Sequence, residues 1–559
     1  MVNWQSKKLG DVLLFLNGLV AIVLVNLLLS SYFFRLDLTE EKRYSIKPQT
    51  RELLRGLEDD VYIEVFLEGD LNAEFKRFQK AIRETLEEFS IYSNNHLKFS
   101  FTDPAAAAGQ KAQAEFMNDL STRGIQPTNV ISNNQGQRVE KIIFPGLIVS
   151  YDGMEAGVML LKGNKAGSPA EEINQSIEGI EFEVARAISN LVKEDRKQIA
   201  FIQGHGELDS LNTIRVFQDI REEYDVVNTR LNNPALKDFD ALVLAKPTRR
   251  FSAQDKYFLD QYIMKGKPVL FLIDKLDASM DSASRDDYFA LPYNTDLDEM
   301  LFRYGVRINL DLVQDRVAGF YPIVTGQRAG KPQMSVLDWP FFPLINHYPE
   351  HPITRNLDAV LTRFVSSVDT VKAPGIKKTP LMLTSQLSRT IGAPVKVSVN
   401  DLRTPVPDEQ YTRPSIPVAY LLEGSFTSLF KNRFLPDGIS KNDFVPDGVP
   451  TKLVVVADGD LVRNDFNMRT NQSQPLGFDV ATNYTFANRE LVLNLLGYLT
   501  SDEGLIQVRN KQVKIRPLDK ALIQDKVKWQ VINLVLPIIV LIAFGAGRMY
   551  WRKRKYARF

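Results

Sequence analysis

Cysteine is absent from all 559 residues, which removes disulfides, thiolate metal sites and cysteine nucleophiles at once. It leaves the compartment open, because a chain without thiols is at home in either redox environment. Histidine is scarce, with His96, His205, His347 and His351 the whole complement, so a base beside a nucleophile has few places to form. No G-x-x-x-x-G-K-[ST] string occurs, and without that loop there is no backbone cradle for a triphosphate. If ATP drives this system, another subunit hydrolyses it. Lys and Arg number 69 against 68 Asp and Glu, a formal charge of +1, so nothing global points to nucleic acid. Fixed-period repeats and low-complexity tracts are also missing.

What the chain does have is an apolar run at each end. Residues 12–34 carry no charge, long enough at about 1.5 Å per residue to cross a bilayer core of about 30 Å. A cleaved signal peptide is the alternative, but the run exceeds the usual h-region and no A-x-A site follows. Residues 530–547 repeat the pattern, with Pro537 tolerable in a membrane span. Arg548, Arg552, Lys553, Arg554, Lys555 and Arg558 follow directly and read as a cytoplasmic anchor under the positive-inside rule. Two spans put both termini on one side, and Lys7 and Lys8 agree with the tail. The expectation is a 1–11 cytoplasmic N-terminus, a 12–34 span, a folded region in contact with membrane lipid only through its anchors, a 530–547 span and a 548–559 cytoplasmic tail.

Within the folded region the fold class expected is α/β. Val61 to Leu67 reads as a strand, Phe75, Phe78, Ile82, Leu86 and Phe89 recur at helical spacing, and Leu97, Phe99 and Phe101 alternate. A second helical run ends near Gly124. Strands at Lys141 to Phe144 and Leu147 to Tyr151 then bracket Pro145-Gly146. This βαβαββ order predicts a thioredoxin-like domain over 50–165. Ile177, Ile180, Val184, Ile188 and Leu191 share one helical face and predict a connecting helix within 166–196. From Gln198 strands alternate with helices, one of them opened by the Ser252-x-x-Asp255 cap, so a doubly wound parallel sheet is expected over 197–505. Its pattern breaks up between about 275 and 450, where prolines abound, and resumes with KLVVVA at Lys452. A large loop-rich insertion is the reading there.

In open parallel sheets ligands gather at the carboxyl ends of strands. Gly204-His205-Gly206-Glu207 and Asp209 follow the first such strand, Thr248 the third and Asp274 the fourth. The glycines would let a ligand approach backbone, His205 donates or accepts, and Glu207 and Asp209 suit hydroxyls or a cation; a glycan fits such groups. The plainer reading is a tight turn whose acids favour a helix N-terminus. Asp458-Gly459-Asp460 has the same two readings, cation site or turn. His347-Tyr-Pro-Glu350-His351 matches H-x-x-E-H on paper, but Pro349 and Pro352 oppose the helix that pattern needs. No metal, no cofactor and no catalytic residue is expected.

Arg35-Leu-Asp37-Leu-Thr39-Glu40-Glu41-Lys42-Arg43-Tyr44-Ser45, just after the first span, resembles the junction motif of the GldG family, the auxiliary component of gliding-motility-associated ABC transporters. The likeness continues in order through Phe101-Thr-Asp103-Pro104, Asn174-Gln-Ser-Ile177-Glu178, Ile199 to Leu208, Ala245-Lys-Pro-Thr248, His351-Pro-Ile-Thr354 and Val456-Ala-Asp458-Gly-Asp460 to the terminal span. The resemblance implies an inner-membrane protein of gliding Bacteroidetes-type bacteria. Its folded region would be periplasmic, and its partners a separate membrane permease and a cytoplasmic ATPase. It also implies that the middle region is a glutamine-amidotransferase-like α/β module, shared with an intraflagellar transport protein and suspected of binding sugars. Without cysteine the amidotransferase activity itself is excluded. The function expected is thus a non-enzymatic transporter subunit, with a periplasmic carbohydrate-binding module and a structural tether acting through 275–450 as alternatives.

Overall fold

The computed structural model describes residues 7–31, 45–106, 109–134, 137–162, 168–193, 196–285, 288–328, 331–404, 406–467, 470, 472–500, 508 and 526–556. The junction motif at 35–44 and the last residues of the expected first span lie outside them. Helix α1 (Lys7–Ser31) carries an apolar stretch, Leu13–Asn26, shorter than a span.

A four-stranded sheet follows, made of β1 (Val61–Val65), β2 (Leu97–Phe101), β3 (Gly146–Tyr151) and β4 (Met154–Met159) in the order β2-β1-β3-β4. β2 is parallel to β1, β3 antiparallel to β1 and β4 antiparallel to β3. Period-two burial of Val61, Ile63 and Val65 turns one face of β1 inward. Helix α2 (Ala73–Tyr92), capped by Asn72 accepting from Phe75 N, covers it with the predicted Phe75, Phe78, Ile82, Leu86 and Phe89. The closing strands differ from the sequence expectation. Gln137–Ile143 pairs with Thr128–Asn134 in a separate hairpin, and the sheet turns at Asp152-Gly153, whose φ angles are 46° and 76°. Asp-Gly satisfies a tight hairpin where both central residues need positive φ; Pro145-Gly146 does not.

Helix α3 (Pro169–Val192), opened by Ser168 accepting from Glu171 N and by a proline in the first turn, does more than connect. Ile173, Ile180, Val184 and Ile188 are buried in the same core as α2 and β1.

The larger sheet holds β5 (Gln198–Ile202), β6 (Asp225–Thr229), β7 (Ala241–Ala245), β8 (Val269–Leu272), β9 (Ile376–Leu383), β10 (Pro417–Thr427) and β11 (Asp447–Val456). Their order is β9-β10-β11-β8-β7-β5-β6. β6, β5, β7, β8 and β11 are mutually parallel. Every residue of β7 and β8 is buried, as a central parallel strand covered on both faces requires. Helices α4 (Ser210–Arg221), α5 (Ala253–Met264, with the predicted Ser252/Asp255 capping box) and α6 (Asn488–Thr500) pack against it. Chain order reverses between β5 and β7, which opens a crevice at the carboxyl edge there.

The 275–450 stretch is less loop-rich than its prolines suggest. It supplies β9 and β10, antiparallel additions to the sheet, and a long hairpin, Ala318–Arg328 with Lys331–Ile345. Proline is tolerated because it sits at edges and irregularities: Pro380 lies on edge strand β9 beside a register shift. Within the hairpin Trp339, 1% exposed, packs on Phe342 of the same strand and on Phe364 at ring separations of 4.7 and 5.5 Å.

Residues 512–559 form a separate unit, described through helix α7 (Lys526–Tyr556). Its Lys528–Lys555 segment is the one helix among the described residues long and apolar enough to cross a membrane.

Ile180→Ala tests whether α3 belongs to the first core. A cavity cost of about 2–5 kcal/mol is expected in urea unfolding; a change under about 0.5 kcal/mol, usual for surface positions, would make α3 a solvated connector.

Candidate functional site

β5 ends at Ile202 and the chain turns back through Gly204 and Gly206, at φ 130° and 74°. A Cβ on Gly206 would stand 2.2 Å from Thr248 Oγ1, so only glycine passes. Thr248 seals the turn: its hydroxyl donates to Gly206 O at 3.0 Å, and the Thr248 and Arg249 amides donate to His205 O at 2.9 and 2.7 Å. His205, 7% exposed, stacks on Phe251 with centroids 3.7 Å apart. Its Nδ1 lies 3.1 Å from Glu207 Oε1 and its Nε2 3.3 Å from Asp255 Oδ2. The second Glu207 oxygen accepts from His205 N at 2.6 Å. Burial works against a charged ring, but Glu207 and Asp255 outweigh it and raise the His205 pKa. Asp255 is held low: burial opposes the charge, and Ser252 and His205 overcome it. The Ser252 hydroxyl donates to Asp255 at 2.5 Å rather than to His205, so the group lacks the nucleophile-to-base contact of a hydrolase.

Gly204, His205, Gly206, Glu207 and Thr248 thus come together in one turn. Asp209 does not join them; it caps α4, accepting from Asn212 N and Nδ2 at 2.9 and 2.8 Å. Asp274 belongs to a second group at the same edge, which sequence reasoning missed. Lys246 follows β7 with φ 56°, an uncommon conformation for a residue with a side chain. Its Nζ lies 2.7 Å from Asp274 Oδ2 and 2.6 Å from Asp460 Oδ2. Gly459 N donates to Asp274 Oδ1, and a Cβ on Gly459 would meet Lys246 Cβ at 2.7 Å. Asp458 accepts from Asp460 N at 2.8 Å and from Arg363 N at 3.0 Å; Arg363 grips Asp465 through its two terminal guanidinium nitrogens at 2.9 and 2.6 Å.

Asp274, Asp458, Asp460 and Asp465 here face Lys246, Arg363 and Arg463, one carboxylate more than cations. Burial pushes Asp274 up to about 6. Burial and then the neighbouring Asp274 and Asp460 raise Asp458 as well. Asp460 goes the other way: burial opposes its charge, but Lys246 and Arg463 hold it low. Lys246, despite burial, is raised by Asp274 and Asp460. Lys246 thus bridges Asp274 and Asp460, while Asp458 is held by the backbone amides of Asp460 and Arg363. Asp458-Gly459-Asp460 follows its turn reading: Asp458 caps a short 3-10 turn, and Asp460 is spent on Lys246. The available signal was Lys246, a charge set directly on the end of an apolar strand.

His347 lies in a β-bridge with Leu383, off any helical face. His351 is buried, accepts from Ile353 N at 3.3 Å, and burial lowers it to about 4. Among the described residues no group of three or more His, Asp or Glu side chains is arranged to hold a metal ion.

Residues 196–495, more than half of the chain, match the model of the family described as ABC-type uncharacterized transport system. The chain belongs to this ABC transporter auxiliary family. Membership implies association with an ABC transporter complex, and the apolar α7 agrees with membrane association. Residues 40–150 match a domain of unknown function, DUF7088. An uncharacterized protein of Borreliella burgdorferi is 20% identical over 567 residues, covering 99% of this chain and 100% of its own. The solved N-terminal domain of mmIFT52 is similar over 55% of this chain and 98% of its own, at 13% identity and a TM-score of 0.31, too low to support an inference about fold.

Lys246→Met leaves Asp274 and Asp460 buried without their cation, and a loss of about 3–5 kcal/mol is expected in chemical unfolding; a loss below about 1 kcal/mol would mean that water reaches the cluster. His205 gives a pH signature. Its folded pKa is raised, so its contribution is full below the ordinary value of 6.5 and disappears as pH rises through the folded value. The stability gap between the native chain and His205→Gln, measured by urea unfolding, should therefore narrow with rising pH; a gap that widens would contradict the raised value.

Proposed function

We propose that this chain is a non-enzymatic, membrane-anchored subunit of an ABC-type transporter complex. In this reading a partner permease and a cytoplasmic ATPase supply the motion, and the folded region couples it to cargo or envelope machinery. Family membership over 196–495 carries the reading. The absence of a phosphate-binding loop supports it, because energy must then enter through another subunit. So does the filled carboxyl edge: the His205 and Lys246 groups spend their polar atoms on each other and on their neighbours.

The finer reading is of the gliding-motility type. Both termini are cytoplasmic, spans lie at 12–34 and 530–547, and the region between is periplasmic. The basic residues that close α7 favour this orientation. Residues 50–165 form a thioredoxin-like domain in this reading, which the β2-β1-β3-β4 order supports. Residues 197–505 form an amidotransferase-like domain, supported by the five parallel strands with their reversal between β5 and β7.

Affinity purification of the tagged full-length chain in mild detergent tests this. A permease and an ATPase in stoichiometric amount are the expected companions. A chain that emerges alone, yet binds glycans in a way lost on Glu207→Ala, would replace the subunit with a carbohydrate-binding module built on Gly204, His205, Gly206, Glu207, Asp209, Thr248 and Asp274.

A further inference from the structure

Helix α3 lies between the two stretches that match family models, 40–150 and 196–495, and it is held from both sides. On one side is the short helix Pro48–Arg55, the next described element after α1. Its N-cap position is Lys47, whose side chain has no acceptor to offer the free amides of a helix start. Buried Glu181 of α3 stands in: its Oε1 accepts from Lys47 N at 2.6 Å and from Thr50 Oγ1 at 3.0 Å. In a capping box the same bond comes from a glutamate a few residues along the chain. Here it comes from 134 positions away, so this helix start is fixed only while α3 is in place. The carboxylate also suits the positive end of the helix dipole. Ile46 and Leu54, to either side of the contact, are buried in the core that α3 shares.

The next residue of α3 points about 100° away around the helix. Buried Phe182 packs against Tyr498 of α6. Tyr498 is tied into the large sheet: its hydroxyl donates to Glu423 Oε1 of β10 at 2.6 Å, and its carbonyl accepts from Lys452 Nζ of β11 at 3.1 Å. One turn along α3, Arg186 lies 3.0 Å from Glu183 Oε2 and 3.7 Å from Glu223 Oε1, and Lys162 lies 2.9 Å from the same Glu183 oxygen. A run of ions thus leads from Lys162, beyond β4, through α3 to the turn before β6. Glu183 is buried, and removing one member of such a run leaves its neighbours unpaired at a high cost. Asn356 adds a hydrogen bond to Gln175 O at 3.3 Å.

We propose that α3 is the element that passes movement between the Pro48–Arg55 helix, on the α1 side of the fold, and the large sheet. The route rests on the coupling role proposed above: displacement of the Pro48–Arg55 helix pulls on Glu181, α3 shifts as one body, and Phe182 and Arg186 carry the shift to α6 and to the turn before β6.

Hydrogen exchange of the full-length chain in detergent, read by mass spectrometry, tests it. Glu181→Gln and Thr50→Val each weaken the first contact, and Phe182→Ala the second. Losing a hydrogen bond to a charged group should speed exchange over 47–55 by about tenfold in Glu181→Gln. Because coupling is reciprocal, exchange should also rise at least about threefold across α6 in Glu181→Gln and Thr50→Val, and over 47–55 in Phe182→Ala, with β7 and β8 unchanged. A rise confined to the perturbed side would make α3 a spacer with two independent contacts and overturn the proposal. A rise spread equally over β7 and β8 would be global loosening, and overturn it too. The readout needs no partner, so a chain that purifies without permease and ATPase sinks the transporter role while the exchange result still decides whether α3 couples its two sides.

Discussion

Lys246 carries a full charge into the end of a sheet whose central strands are buried on both faces, and the carboxyl edge is organised around neutralising it. Asp274 reaches it from the end of β8 and Asp460 from the turn after β11, so three strand ends are tied at one point. Removing charges from water costs several kcal/mol per ion, and the geometry returns it only when every partner is present. That requirement explains the other peculiarities of the edge. Gly459 must be glycine for its backbone to reach Asp274, Lys246 accepts an uncommon backbone angle, and Arg363 gives its backbone amide to Asp458 while its guanidinium is held by Asp465.

The same edge is where an enzyme or binding protein of this sheet order would place its ligand. Here the crevice residues satisfy each other. His205 uses both ring nitrogens on Glu207 and Asp255 and lies flat on Phe251, an arrangement that fixes the turn. Rigidity is the property a coupling subunit needs, because a force applied at one element is transmitted only through interactions that do not yield. For the proposed coupling role, the mutually paired groups at the carboxyl edge supply such interactions.

Much of the architecture was legible because it is written locally. The Phe75–Phe89 spacing marks α2, the alternation of Val61, Ile63 and Val65 marks β1, and Ser252 with Asp255 marks the start of α5. Strands lie on both sides of Pro145-Gly146 as the sequence suggested, but their partners were not legible: the tight hairpin turns at Asp152-Gly153 instead. A misreading arose where prolines stood for loops, although an edge strand such as β9 tolerates them. Of the site, Gly204, His205, Gly206, Glu207 and Thr248 could be placed together because strand ends in a parallel sheet share an edge.

Periodicity and capping, which depend on neighbours within a few residues, determined from sequence alone that this is an α/β chain with an apolar helix in its last thirty residues. Only the tertiary structure decided what the polar residues at the strand ends do. Lys246, Asp274 and Asp460 span more than two hundred positions, and a buried carboxylate 2.6 Å from an ammonium group is a different chemical entity from one facing water. No sequence pattern carries that distinction, because it is created by which strands lie side by side.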